Sequence, residues 1–143
     1  MRVFILEDCE IFRLSLMLIL NQEPDLEVVG ARGSNSTGIR DEIIASKCET
    51  LLVGLKLRNL SGLEISRRVK EINPNIAILA LGFSTDTASV HEMKCSGVDA
   101  FLPMHSSNEQ ITDTVRRSHE NLEILDFSGT SASTRLSILP GST

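Results

Sequence analysis

Two adjacent carboxylates, Glu7 and Asp8, are the residues of this sequence best placed to do chemistry. They follow the continuous apolar run at 3–6 (VFIL), which predicts a strand buried on both faces. Carboxylates at a strand end can help hold Mg²⁺, which usually takes one or two carboxylates together with other oxygen ligands. The pair also fits a solvated strand end whose charge favours the N-terminus of the next helix. Both interpretations stay open at this point.

The other chemistry-bearing residue types form weaker patterns. Three widely spaced cysteines indicate reduced thiols rather than a disulfide frame or a zinc site, and we expect no metal-ligand spacing between them and the three histidines. These residues are Cys9, Cys48, Cys95, His91, His105 and His119. The stretch 33–38 spells G-x-x-x-x-G but lacks the Lys and the Ser or Thr that a phosphate-binding loop needs.

The elements that position these residues follow from the hydrophobic pattern. Short apolar runs alternate with helical patterns along the chain. The five runs lie at 3–6, 26–31, 51–53, 76–81 and 100–102. Ser107 can cap the last helix, which is predicted to extend to Leu122. This alternation predicts an α/β fold, a flavodoxin-like doubly wound parallel sheet of five strands in the order 2-1-3-4-5 with five helices. Ligand chemistry in this fold lies beyond the carboxyl ends of the strands, which directs attention to Glu7, Asp8 and Cys9 and to residues 54–58, 82–84 and 103–105.

Composition limits the function classes. The 143 residues carry a formal charge of −5 and contain five Phe but no Trp or Tyr. This argues against non-specific binding to nucleic acid or to an anionic membrane, and against a base-stacking platform. No apolar run is long enough to cross a bilayer and no signal peptide opens the chain, so we expect a cytoplasmic protein. Residues 1–122 form the expected domain, and the Ser/Thr-rich stretch 123–143 the expected linker or tail.

Four segments resemble the receiver domain of bacterial response regulators, especially the NarL-like group. They are VFILEDCEIF at 3–12, EPDLEVVG at 23–30, LSGLEISRRV at 60–69 and GVDAFL at 97–102. The resemblance implies the CheY-like form of this fold. It also implies a family chemistry in which a histidine kinase passes a phosphoryl group to an aspartate after strand 3. Mg²⁺ held by two acids, a Ser or Thr, and a Lys then stabilise the developing charge.

The functional residues of the family map poorly onto this chain. Glu7 and Asp8 match the acid pair, but the acceptor position falls on Gly54, the hydroxyl position on Gly82 and the Lys position on Met104. The resemblance therefore implies a degenerate phospho-acceptor pocket. We expect no catalytic residue, no cofactor and no enzyme activity, and no metal beyond a weak site at Glu7 and Asp8.

The expected function is that of an atypical receiver, or pseudo-receiver, of a two-component-type response regulator. It would act in signal transduction or transcriptional regulation through phosphorylation-independent contacts with a protein partner or a second copy. The family uses helix 4, strand 5 and helix 5 for such contacts, and the candidate surface residues there are His91, Lys94, Phe101, Arg116 and His119. We also expect the Phe101 ring to turn inward over Gly82. DNA would be reached only through a helix-turn-helix domain, which these residues do not include.

A second hypothesis is a sensor that binds a small ligand or a metal in the vacated pocket. Small residues stand at Gly54 and Gly82, and an uncharged one at Met104, so the pocket has lost both bulk and charge. A ligand-dependent rise in melting temperature would distinguish this sensor from a protein-contact module.

Overall fold

Five parallel strands form one sheet, in the order β2-β1-β3-β4-β5. The computed structural model of the chain describes residues 1–83 and 87–120. Within them the elements run β1 (Arg2–Leu6), α1 (Glu10–Asn21), β2 (Glu27–Arg32), α2 (Ile39–Ala45), β3 (Thr50–Gly54), α3 (Gly62–Ile72), β4 (Ala77–Gly82), α4 (Thr87–Cys95), β5 (Ala100–Pro103) and α5 (Asn108–Arg116). The predicted fold class, strand order and number of helices are confirmed. The predicted linker at 123–143 and Leu122 lie outside the described residues.

The burial of the strands fits a parallel sheet that helices cover on both faces. Every residue of β3, β4 and β5 is buried, as are the last four residues of β1, while the edge strand β2 is half-buried. Strands covered by helices on both faces have this composition. Gly54 pairs with Leu81, and Gly82 with Pro103. The carboxyl ends of β1, β3, β4 and β5 therefore lie side by side.

Hydroxyl side chains mark the ends of α3 and α5. Ser61 caps α3 by accepting the Glu64 amide at 3.2 Å, and Ser107 caps α5 in a reciprocal capping box with Gln110. The capping role predicted for Ser107 is confirmed. Helix α5 ends at Arg116, short of the predicted extension to Leu122. Ser118 Oγ donates to the Val115 carbonyl at 2.7 Å, a local bond that competes with helix continuation.

Helix α1 buries only one of its apolar faces. Leu16 and Leu20 are fully buried against the sheet, whereas Ile11, Leu14 and Leu18 are 79%, 50% and 67% exposed. The three exposed side chains are three and four residues apart, so they form one row along the helix. No helix of the described chain is long and apolar enough to cross a membrane.

Candidate functional site

The Glu7 carboxylate lies against Gly54, at the edge where β1 and β3 end. Glu7 is buried, with 3% of its surface exposed, and its Oε2 accepts the Cys9 amide at 2.8 Å. Its Oε1 is buried without a hydrogen-bond partner among the described residues. A Cβ atom built on Gly54 would collide with this same Oε1. The Glu7 side chain therefore fills the space that an acceptor carboxylate at residue 54 would need.

Burial raises the pKa of Glu7 above its ordinary value of 4.5, and the charge of Asp8 adds to this effect. The Cys9 amide and the Arg13 guanidinium act in the opposite direction but do not outweigh burial. Arg13 Nη1 donates to the Glu7 carbonyl at 2.6 Å, which brings one positive charge to the acid pair. An unpartnered buried carboxylate costs free energy, so Glu7 gains from being protonated.

Asp8 joins three loops. Its Oδ1 accepts the Ser34 amide at 2.5 Å, and its Oδ2 accepts the Ser34 hydroxyl at 2.7 Å and the Arg58 amide at 2.6 Å. Ser34 Oγ in turn accepts the Asn59 amide at 3.1 Å. Desolvation acts to raise the pKa of Asp8, but these hydrogen bonds outweigh it and hold the pKa below 3.8. Both Asp8 oxygens are thus engaged in holding loops together.

Metal binding by the acid pair gains no support from its surroundings. Among residues 1–83 and 87–120 no group of three or more His, Cys, Asp or Glu side chains is placed to hold an ion.

The role of Ser34 was missed at the sequence level, although it lies within the G-x-x-x-x-G stretch. The available signal was a strand-end aspartate facing a loop rich in backbone amides and hydroxyls.

Apolar packing surrounds the positions of the missing hydroxyl and cation. A Cβ on Gly82 would lie 3.1 Å from Phe101 Cε1 and 3.3 Å from Leu55 Cδ1. The Met104 amide donates to the Gly82 carbonyl at 2.8 Å, and the Met104 side chain is half-buried. Phe101 is fully buried, so the prediction that it is a surface residue is wrong. Its other predicted position, inward over Gly82, is confirmed.

The remaining candidates for the interaction face lie on α4 and at the end of α5 or just after it. His91 and Lys94 are exposed on α4. Arg116 forms ion pairs with Glu23 and Asp25, just beyond α1, with Nε 2.8 Å from Asp25 Oδ2. His119 Nε2 lies 2.7 Å from the carbonyl oxygen of Glu49, which directly precedes β3 at the amino end of that strand. Arg116 and His119 are thus held by contacts with other parts of the chain, and whether the four residues share one interaction face stays a prediction.

A histidine and a cysteine meet on α4. His91 Nε2 and Cys95 Sγ are 3.6 Å apart, and both residues are exposed. The expectation of no metal-ligand spacing between the histidines and the cysteines stays a prediction, since among the described residues no group of three or more such ligands includes this pair. The proximity of the pair was readable from the sequence, because the two residues lie four apart within a predicted helix and so share a face.

An open cavity of about 320 Å³ lies beside Gly82. Its lining among the described residues combines apolar side chains with one cation and two hydroxyls, from Leu55, Lys56, Ser61, Leu63, Gly82, Phe83 and Ser89. Neither Gly54 nor Met104 is part of this lining.

Five parallel strands in the order 2-1-3-4-5 with five helices match the CheY-like receiver fold. Solved receiver structures match it closely. The signal receiver domain of NarL from Mycobacterium tuberculosis superposes with a TM-score of 0.77 and 19% identity, over 85% of this chain and 97% of that one. A DNA-binding response regulator of the LuxR family from Staphylococcus aureus matches with a TM-score of 0.73 and 17% identity, over 83% and 98% of the chains.

The curated relatives are response regulators. VraR of Staphylococcus saprophyticus is 25% identical over 125 residues, and VraR of Staphylococcus epidermidis 26% identical over the same length. Each match covers 87% of this chain and 59% of the relative, so the chain spans about three fifths of the relatives' length. No family model matches the sequence.

Proposed function

We propose that this chain is an atypical receiver module of a two-component-type response regulator, acting by protein contacts without accepting a phosphoryl group. The observation that carries the proposal is the position of the Glu7 carboxylate, which occupies the space beside Gly54 where the acceptor carboxylate would stand. The response-regulator relatives and the receiver fold support the class of protein.

Phosphoryl transfer needs groups that these positions lack. The reaction requires a nucleophile, a metal ion and positive charge around the transferred group. Gly54 offers no nucleophile, Gly82 no hydroxyl and Met104 no cation. Asp8, which would share a metal ion, is already engaged by three donors from two other loops.

The signalling state is then set by packing instead of by a phosphoryl group. A ligand shifts a conformational equilibrium only as far as it binds one state better than the other. The Phe101 ring already packs inward over Gly82 without any such ligand. We therefore expect one fixed conformation that a protein partner or a second copy recognises.

Exposed surfaces of two kinds are available for such contacts. Helix α4 exposes His91 and Lys94, and α1 exposes the row Ile11, Leu14 and Leu18. Exposed apolar rows of this kind are typical of protein-contact surfaces. A cytoplasmic role in transcriptional regulation is part of the proposal, with DNA contacted only by a helix-turn-helix domain outside these residues.

Incubation with acetyl phosphate and Mg²⁺, followed by intact-mass measurement, tests the proposal. We expect no added mass under conditions that phosphorylate a receiver with an intact acceptor, such as a receiver domain of the NarL type run in parallel. Light scattering with and without beryllofluoride and Mg²⁺ should give one unchanged mass. A phosphoryl adduct that hydroxylamine removes would contradict the proposal.

The cavity beside Gly82 favours a small-ligand sensor as second candidate function. Lys56 and Ser61 on its lining are polar groups that could orient a compact anionic metabolite. Thermal melts with a panel of such metabolites test this candidate. A ligand at a hundred times its Kd should add about 2.7 kcal/mol to the free energy of unfolding, and a Lys56→Ala variant should lose that gain. A panel without any such gain would argue against the sensor.

A further inference from the structure

Helix α4 presents two soft metal ligands side by side. His91 and Cys95 are one helical turn apart, and their Nε2 and Sγ atoms lie 3.6 Å from each other. Val90, Met93 and Ser96 on the same element and its end are buried, so the opposite side of the helix faces outward with this pair. Two ligands at positions i and i+4 of a helix are a recurrent arrangement for binding zinc.

The separation of the two atoms matches tetrahedral coordination. Zinc binds Cys sulfur at about 2.3 Å and His nitrogen at about 2.0–2.1 Å, almost always with tetrahedral geometry in structural sites. Two such bonds at the tetrahedral angle place the sulfur and the nitrogen about 3.6 Å apart. His91 Nε2 and Cys95 Sγ already have this spacing, so an ion could be bound without moving the helix.

Two ligands fill only half of a tetrahedral site. The described residues bring no third His, Cys, Asp or Glu to the pair. A second copy related by a twofold axis through the ion would supply the same two ligands and complete a Cys₂His₂ set. Glu92 and Lys94, which flank the pair on the helix, carry opposite charges, so these two neighbours do not place one sign of charge around the pair.

The geometry points to a zinc-class metal site formed by His91 and Cys95 of two copies of this chain, joined through α4. Each thiol releases one proton to solvent as its sulfur bonds to the ion, and each imidazole binds in its neutral form through Nε2. No electron is transferred. The site rests on the proposed contact function in one respect, because it identifies a second copy bound through α4 as the partner. Metal binding by His91 and Cys95 does not depend on whether the Gly54 pocket accepts a phosphoryl group.

Titration of the full chain with Co²⁺ and Zn²⁺ in a metal-free phosphine reductant tests this site. We expect a thiolate-to-cobalt charge-transfer band and tetrahedral d–d bands that saturate at one ion per two chains. Light scattering should show the mass double with Zn²⁺ and return to the starting value with EDTA. Removing an outer-sphere partner of a metal ligand typically lowers affinity 10–100-fold, so losing a ligand in Cys95→Ser or His91→Ala should lower it by about 100-fold or more.

Two variants at exposed positions elsewhere serve as matched controls. Cys9→Ser and His105→Ala each remove a soft ligand that lies away from α4. Both variants should bind Co²⁺ and Zn²⁺ with the affinity and the stoichiometry of the original chain. Binding that survives Cys95→Ser would overturn the site. Saturation at one ion per chain without mass doubling would overturn the role of the second copy. A doubled mass that EDTA does not reverse would also overturn the metal site, because the dimer would then not depend on the ion. None of these results bears on the phosphodonor measurement, so the two proposals fail separately.

Discussion

Restoring the acceptor with Gly54→Asp should destabilise this chain, although it completes the carboxylate set of a competent receiver. The Cβ atom of the new residue collides with Glu7 Oε1, so the end of the buried Glu7 side chain must shift. Overpacking of this kind costs about 1–3 kcal/mol. Two ionised carboxylates about 4 Å apart repel each other by roughly 4 kcal/mol at an effective dielectric constant near 20, and protonation of one of them relieves part of that repulsion.

Together these effects predict a loss of about 3–5 kcal/mol in the free energy of unfolding at neutral pH. Urea denaturation measures it directly, and the melting temperature should fall by roughly 10 °C or more. Gly54→Ala adds the Cβ atom without the charge, so it should cost only about 1–2 kcal/mol. The difference between the two variants isolates the electrostatic part.

A double-mutant cycle identifies Glu7 as the cause. Glu7→Gln in the Gly54→Asp background should recover more than half of the lost stability, because it removes one of the two facing charges. Mg²⁺ should stabilise Gly54→Asp more than the original chain or Gly54→Ala, since only this variant adds a further carboxylate oxygen beside Glu7. Equal stability of Gly54→Asp and the original chain, with no coupling to Glu7, would refute the reasoning.

Three further outcomes follow from the same contacts. The pKa of Glu7 is raised in the folded state, so the free energy of unfolding should fall as pH rises from 4.5 through the folded-state pKa. Urea melts of Glu7→Gln should show a flatter fall. An unchanged pH dependence in this variant would argue against burial of the charge. The pKa of Asp8 is lowered, so its stabilising contribution is present above pH 3.8 and lost on acidification. Asp8→Ala leaves the Ser34 and Arg58 donors unpaired. It should lower the free energy of unfolding by about 1–3 kcal/mol at pH 7 and by little near pH 2. Gly82→Thr should displace the Phe101 ring and cost about 1–3 kcal/mol, visible as shifted aromatic NMR resonances, with Gly82→Ala as the milder control; unshifted resonances would mean that the ring does not rest on Gly82.

The fold could be predicted from the sequence because its signals are local and repeated. Continuous apolar runs mark strands buried on both faces, and only a parallel sheet between helices buries five of them in alternation with helical patterns. The order of the strands makes β3 and β4, and β4 and β5, neighbours, and the structure adds the register that pairs Gly54 with Leu81 and Gly82 with Pro103. Helix capping by Ser107 was predictable for the same reason, since the hydroxyl and its amide are three residues apart.

The state of the pocket depended on the tertiary structure. The sequence determined that Gly54 has no nucleophile and that Glu7 and Asp8 follow β1. It left open whether the two acids face solvent, hold an ion or serve another purpose. That answer depends on loops 26 and 50 residues away, whose Ser34 and Arg58 amides the parallel sheet brings to Asp8.

Burial of individual side chains was decided in the same way. Helix α1 is apolar on nearly all sides, so periodicity alone did not show that Leu16 faces the sheet while Ile11 and Leu18 face outward. Phe101 was expected both at a surface and turned inward, and the packing of its ring on Gly82 decided between the two. The sequence pattern determines which residues can be buried. The side chains that pack across the sheet determine which of these residues are buried in fact, because a close-packed core is filled by side chains from distant parts of the chain.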